Sequence, residues 1–214
     1  MSAETYAVLI ADVVESSSRR DIRGVLGKKL AEASRKHLRR KLIQLPYSVT
    51  AGDEFQVVSR NLSSVPAILL DLRAALRPLS LRIGVGFGRI PERIQPPVNR
   101  LGGEAFQFAR KAIDEIKANA LFKFPVLTAF HSRNQGFDST INLLYGLHDT
   151  LLRRITAKQW AAIEVFRGHS TLEHAAKRLQ LDASTISRNL KRGYYWQLLE
   201  TVGVAGSLIT RSFH

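Results

Sequence analysis

Apolar and polar positions along the chain fall into runs with two different periods. Tyr6 to Ala11 is a continuous apolar run closed by Asp12, the pattern of a strand buried on both faces. Residues 21–43 place Ile22, Leu26, Leu30, Ala33, Leu38 and Leu42 near helical spacing with Lys and Arg between them, predicting an amphipathic helix. Residues 46–59 read as two short strands joined at Gly52-Asp53, with Phe55, Val57 and Ser59 alternating in the second. A helix is predicted over 63–77, capped by Ser63 or Ser64 and ended by Pro78. A strand follows over 80–88, then a proline-interrupted loop over 89–101. A helix over 103–119 puts Phe106, Ala109, Ile113 and Ile116 on one face, and a last strand over 122–129 contains Pro125, which points to a sheet edge. Gly84, Gly86 and Gly88 alternate inside a strand with no helix directly after, so they signal close backbone packing and not a dinucleotide fingerprint.

The resulting order, β-α-β-β-α-β-α-β, opens as a ferredoxin-like split βαβ unit and adds one helix and one strand. It predicts an α/β (α+β) palm domain over residues 1–130. The polar segment 131–138 reads as a linker and 140–153 as a helix, so 131–155 connects the palm to an all-helical domain over 156–214.

Within that second domain, residues 156–192 have the layout of a helix-turn-helix. Thr156 caps a helix that Gly168 is expected to stop; Ser170 or Thr171 caps a second; a third starts near Ala183. Ala176 supplies the small residue that a steep helix crossing needs, and Ile186 plugs the small core with support from Leu179 and Leu181. Gln180 occupies the turn position that wants a positive φ, where glycine is common. Opposite Ile186, the third helix carries Ser184, Thr185, Ser187, Arg188, Lys191 and Arg192, side chains of the kind that reach base edges and phosphates in a major groove. The stretch resembles the helix-turn-helix modules of sigma-factor region four and of LuxR-like proteins. The resemblance implies Ser184 and Thr185 at the helix entry, Ser187 and Arg188 on bases, and Lys191 and Arg192 on phosphates. An ordinary three-helix bundle with a basic solvated face is the alternative.

Charge supports a polyanionic partner. Lys and Arg number 32 against 18 Asp and Glu, a net +14 over 214 residues. The basic run from Arg19 to Lys41 reads as a solvated helix face, or else as a surface that extends DNA contact or neutralises a bound nucleotide. There is no cysteine, which excludes disulfides, thiolate zinc sites and a thiol nucleophile. No apolar stretch approaches the ~20 residues of a membrane span, and the expectation is a cytoplasmic protein without membrane contact. Tyr194 to Trp196 read as core, or as the contact of a homodimer whose two-fold axis presents two third helices to a palindrome; the helix over 140–153 is another candidate for that contact.

Two acids carry the candidate chemistry of the palm. Asp12 ends the first strand and Asp53 sits at the hairpin turn, and a split βαβ sheet brings both to one end. Two carboxylates that close repel unless a cation intervenes, and Mg²⁺ takes carboxylates together with nucleotide phosphates. In order and spacing, YAVLIADVVE (6–15), AGDEF (51–55) and RIGVGFG (82–88) resemble the strand motifs of class III nucleotidyl cyclases, whose palm the GGDEF diguanylate cyclases share. GGEAFQFARKA (102–112) resembles the cyclase helix that bears a transition-state Asn and Arg. Over residues 6–200 the chain resembles the SatD family, a cyclase-like palm followed by a helix-turn-helix. The resemblance implies Mg²⁺ or Mn²⁺ on Asp12 and Asp53 and Arg110 as the transition-state arginine. It also implies a nucleotide whose phosphates are cradled by Val13, Val14, Ser16, Ser17 and Ser18. Phe106 stands where the Asn is expected, Glu15-Ser16 replaces Gly-Phe, and no lysine matches a purine-selecting position. The expectation is therefore a DNA-binding regulator with a partly degenerate, nucleotide- and metal-binding cyclase-like palm. An active nucleotidyl-transfer enzyme and a protein-interaction module are the alternatives.

Overall fold

A computed structural model describes residues 4–14, 22–50, 52–169 and 171–213. Its strands are β1 (Tyr6–Val13), β2 (Ser48–Val49), β3 (Phe55–Ser59), β4 (Leu81–Gly88) and β5 (Thr128–His131). Its helices are α1 (Ile22–Arg39), α2 (Val65–Ala75), α3 (Glu104–Lys117), α4 (Gln135–Arg154), α5 (Ala157–His169), α6 (Leu172–Leu179), α7 (Ala183–Arg192) and α8 (Tyr195–Phe213). The sheet order is β2-β3-β1-β4-β5. β1 is central and antiparallel to β3 and β4, and β5 joins β4 in parallel at the edge. The α+β palm expected from the sequence is thus present.

β1 is buried on both sides, as its unbroken apolar run requires. Ala7, Leu9, Ala11 and Val13 face a core built from α1, α2, α4 and α8, while Val8 and Ile10 face α3. The helical part of the chain does not stand off from the sheet: Phe137, Ile141 and Tyr145 of α4 and Ala205 and Ile209 of α8 belong to the same core as β1. α5, α6 and α7 have their own cluster around Trp160, Ile163, Ala175, Ile186 and Leu190, which takes in Leu70 of α2.

The side of the sheet under α3 is set by the glycines of β4. A Cβ on Gly84 would lie 2.4 Å from the Ala109 carbonyl, and one on Gly86 2.1 Å from that of Ala105. The helix backbone therefore rests directly on the strand, which is the close packing expected of the alternating glycines.

Several boundaries differ from the sequence reading. α1 ends at Arg39, because Lys41 turns left-handed at φ 53° and the Leu42 N–H bonds back to the His37 carbonyl. The final palm strand covers Thr128–His131 and not 122–129. Phe122 and Phe124 instead stack on each other at 5.0 Å and pack with Ala112, Ile116 and Val126. The expected linker 131–138 is mostly structured. Asn134 caps α4 by accepting the Phe137 N–H, and Asp138 accepts both the N–H and the hydroxyl of Ser132. Gly168 does not stop α5, which runs on to His169.

Gly86→Ala is expected to lower stability by about 2 kcal/mol or more, since overpacking against a helix backbone has no side-chain escape. A urea unfolding midpoint equal to that of the wild type would contradict the close seating of α3.

Candidate functional site

Asp12 is the last residue but one of β1, directly opposite Arg82 of β4. Its side chain is buried on the α3 side of the sheet. Arg82 Nε donates to Asp12 Oδ1 at 2.8 Å, and Lys117 Nζ lies 2.7 Å from Oδ2. Asp53 follows Gly52, whose φ of +65° makes the hairpin turn. Asp53 Oδ2 accepts the Val13 N–H at 3.2 Å, so the turn folds back onto the end of β1 beside Asp12. The structure thus brings the two acids to the same end of the sheet.

The next residue is equally engaged. Arg110 of α3 makes a two-pronged contact with Glu54, Nη1 to Oε2 at 2.7 Å and Nη2 to Oε1 at 2.8 Å. The hydrogen bond from Arg110 holds the Glu54 carboxyl below its ordinary range against the opposing effect of burial. The same bond holds the Arg110 guanidinium above its own. Neither Arg82, Lys117 nor Glu54 was singled out by the sequence. The available signals were weak but real: Glu54 belongs to the GDEF run, and Lys117 lies two helical turns beyond Arg110 on the same helix.

The backbone donors expected to cradle phosphate are partly committed. The Val13 N–H goes to Asp53 and the Val14 N–H to the Ser80 carbonyl at 2.9 Å. Ser16, Ser17 and Ser18 lie outside the described residues. A divalent ion does not fit the residues as arranged: both Asp12 oxygens already hold cationic partners. Among the described residues, no group of three His, Cys, Asp or Glu side chains is placed to hold a metal ion. Arg82 and Lys117 supply the positive charge that two neighbouring acids require.

Beside this end, a cleft of about 940 Å³ opens between α3, β3 and the loop before α3. Ile10, Leu101 and Phe106 give it apolar walls, and Gln56, Arg110 and Asp114 give it polar groups. Phe106 stands in the cleft at the position where the resemblance expects an asparagine. Asp12 and Asp53 do not line it.

Helices α5, α6 and α7 pack around a small core of their own. Thr156 and Gln159 cap α5 reciprocally, the Thr156 N–H donating to Gln159 Oε1 at 2.8 Å and the Gln159 N–H to Thr156 Oγ1 at 3.4 Å. Thr171 caps α6. Gln180 takes the left-handed turn conformation, at φ 53° and ψ 47°. Ala175 and Ala176 are buried at the crossing, and Ile186 is 0 % exposed in the core. Ser184, Ser187, Arg188, Lys191 and Arg192 are all exposed along one side of α7, with Thr185 half-buried at its edge. Arg188 folds back on its own helix, donating to the Ser184 carbonyl and to Thr185 Oγ1.

The fold defines a class: an α+β palm with a five-stranded mixed sheet and a largely helical remainder packed on it. The sequence matches the SatD family over residues 6–209, and the chain belongs to that family. Comparison with curated proteins gives no match. Among solved structures, similarity extends to a bacterial light-regulated adenylyl cyclase (13% identity, TM-score 0.40, 59% of this chain and 42% of that one). It extends also to the guanylyl cyclase domain of the RhoGC fusion protein from Blastocladiella emersonii (15% identity, TM-score 0.37, 52% and 74%). A third is the regulator of polyketide synthase expression from Bifidobacterium adolescentis (17% identity, TM-score 0.30, 97% and 85%). The chain therefore spans less than half the length of the first of these.

The Glu54–Arg110 pair has a defined pH signature. A carboxyl held below its ordinary value stabilises the fold above that value, and the contribution is lost as pH falls through the lowered one. The melting-temperature difference between wild type and Arg110→Gln should be present at pH 7 and close as pH falls below the ordinary carboxylate range. A difference that persists unchanged in acid would refute the pairing.

Proposed function

We propose that this protein is a DNA-binding transcriptional regulator in which α7 enters the major groove of double-stranded DNA. The observation that carries this is the division of α7 into two faces. Ile186 and Leu190 hold it in the core, and Ser184, Ser187, Arg188, Lys191 and Arg192 face outward with no competing protein surface over them among the described residues. Arg188 has only contacts within its own helix to give up before it reaches a base. A homodimer suits this role, since a two-fold axis sets two α7 helices one turn of DNA apart. Exposed Leu143 and Leu147 on α4 and Trp196 and Leu199 on α8 stand on the segments from which such a contact would be drawn.

In this reading the palm binds a nucleotide but does not transfer one. The cleft beside Glu54 and Arg110 has the size and the mixture of apolar walls and few polar groups that a nucleoside needs. The residues that transfer chemistry requires are otherwise occupied or replaced: Asp12 by its two cations, Arg110 by Glu54, the expected asparagine by Phe106. A Mg²⁺ or Mn²⁺ centre at Asp12 and Asp53 is accordingly not part of the proposal.

Gel shifts at two salt concentrations test DNA binding. Arg188→Ala should weaken the preferred site by about 10- to 100-fold and relax base preference there. Lys191→Ala should weaken every duplex alike and reduce the salt slope by about 1. No shift by pure protein at low salt would remove DNA binding as the main role. For the palm, ATP and GTP with Mn²⁺ should yield no cyclic or oligonucleotide product; a product abolished by Asp53→Ala would replace this reading with an enzymatic one.

A further inference from the structure

The basic run of α1 does not serve only as a solvated face. Lys36, His37 and Arg40 all converge on a single acid of α2, Asp71, and a guanidinium from α5 reaches the same carboxylate. Arg40 Nη1 donates to Asp71 Oδ2 at 2.9 Å, and Lys36 Nζ and His37 Nε2 lie 3.3 Å from that oxygen. Arg167 of α5 takes the other oxygen, Oδ1. Burial pushes the Asp71 carboxyl upward, but the His37 hydrogen bond and the Arg167 and Lys36 charges overcome it and hold the group well below the usual carboxylate range. Asp71 is thus a fixed anion at the base of an open cleft of about 680 Å³ between α1, α2 and α5.

The charges in this cleft do not balance. Its wall carries Lys29, Lys36, Arg40, Arg77 and Arg167 against only Asp71 and Glu164. Lys29 is tied to the end of α2 through the Ala75 and Arg77 carbonyls, and Arg77 lies 5.1 Å over the Trp160 ring, so both are held in place. Lys36 and Arg40 are half exposed, at 54% and 50%, and Arg167 is 23% exposed. One carboxylate accepts only part of what two guanidinium groups and an ammonium can donate, so the remaining N–H groups are available to a ligand. Their arrangement is concave and preoriented by a buried acid, which suits a compact anion with several oxygens and not the broad, convex backbone of a duplex.

We propose that this cleft is a second anion site, which takes a small molecule bearing two or more linked phosphate groups and fastens the helix-turn-helix to the palm. Lys36 and Arg40 approach from the palm and Arg167 from α5, so a ligand that engages all three bridges the two parts of the chain. Asp71 is a positioning residue: it orients the arginines and does not touch the phosphates. The site is separate from the α3 cleft and stands whether or not that cleft holds a nucleotide.

The test titrates the full chain with inorganic tripolyphosphate at physiological salt, read by calorimetry and by the melting temperature. Saturable one-to-one binding is expected, with a rise in melting temperature. The double variant Lys36→Gln/Arg40→Gln should weaken binding about tenfold or more, and Arg110→Gln should leave it unchanged. Arg40→Lys, which keeps the charge and loses the fork, should fall between them and guards against a folding defect in the double variant. Absence of saturable binding by the wild type, or equal affinity in the double variant, overturns the proposal. Loss of binding in Arg110→Gln also overturns it, by moving the phosphates to the palm cleft. A double variant that loses duplex DNA affinity while the wild type ignores tripolyphosphate overturns it as well, and assigns the surface to DNA.

Discussion

The seating of α3 on the glycines of β4 is the constraint from which the palm's chemistry follows. With no side chain at Gly84 and Gly86, the α3 backbone rests directly on β4. That brings two outward turns of α3 within reach of the β1 and β3 ends. Arg110 meets Glu54 and Lys117 meets Asp12 because the helix is close enough for both. Two of the three cations at the site, Arg110 and Lys117, thus come from the helix that the glycines seat, while Arg82 comes from β4 itself.

A second theme is the use of arginine and lysine. The net charge of +14 suggests a surface that repels itself, yet the inward acids of the fold are each matched. Arg73, buried at 7% exposure, joins the Leu81 carbonyl, the Thr128 hydroxyl and Asp149, tying α2, the sheet edge and α4 together. Burial lowers the Arg73 pKa while the Asp149 charge opposes that fall. Such a pair is weak evidence for net stability, but removing one partner strands the other, which is why it fixes geometry. Basic side chains without such a buried acid remain on the outer face of α7 among other places.

Much of this was legible from residue patterns, for identifiable reasons. β1 announced itself by an apolar run that only a doubly covered strand tolerates, and the hairpin by Gly52, whose positive φ is a local requirement. Ala176 and Ile186 located the small core of α5, α6 and α7 because a steep helix crossing and a small core constrain single positions. The last strand was displaced because Phe122, Phe124 and Val126 are as apolar as a strand, and nothing local says that they pack with Ala112 and Ile116 instead. The partners of Asp12 were hidden because they come from β4 and α3, far along the chain, and ion pairing has no periodicity to reveal it. Gly168 misled for the opposite reason: glycine tolerates a helix interior at modest cost, so its presence does not end one.

These two sites differ in what stands between them and a ligand. To hold a divalent ion, Asp12 would have to release Arg82 and Lys117, leaving an arginine 29% exposed and a lysine 39% exposed without their counter-ion inside the palm. That cost falls on the ligand before any binding is gained. To bind DNA, α7 needs only the release of Arg188 from its own turn, since Ser187, Lys191 and Arg192 already face solvent. The chain thus closes the Asp12 end of the sheet with its own cations and leaves the polar face of α7 open.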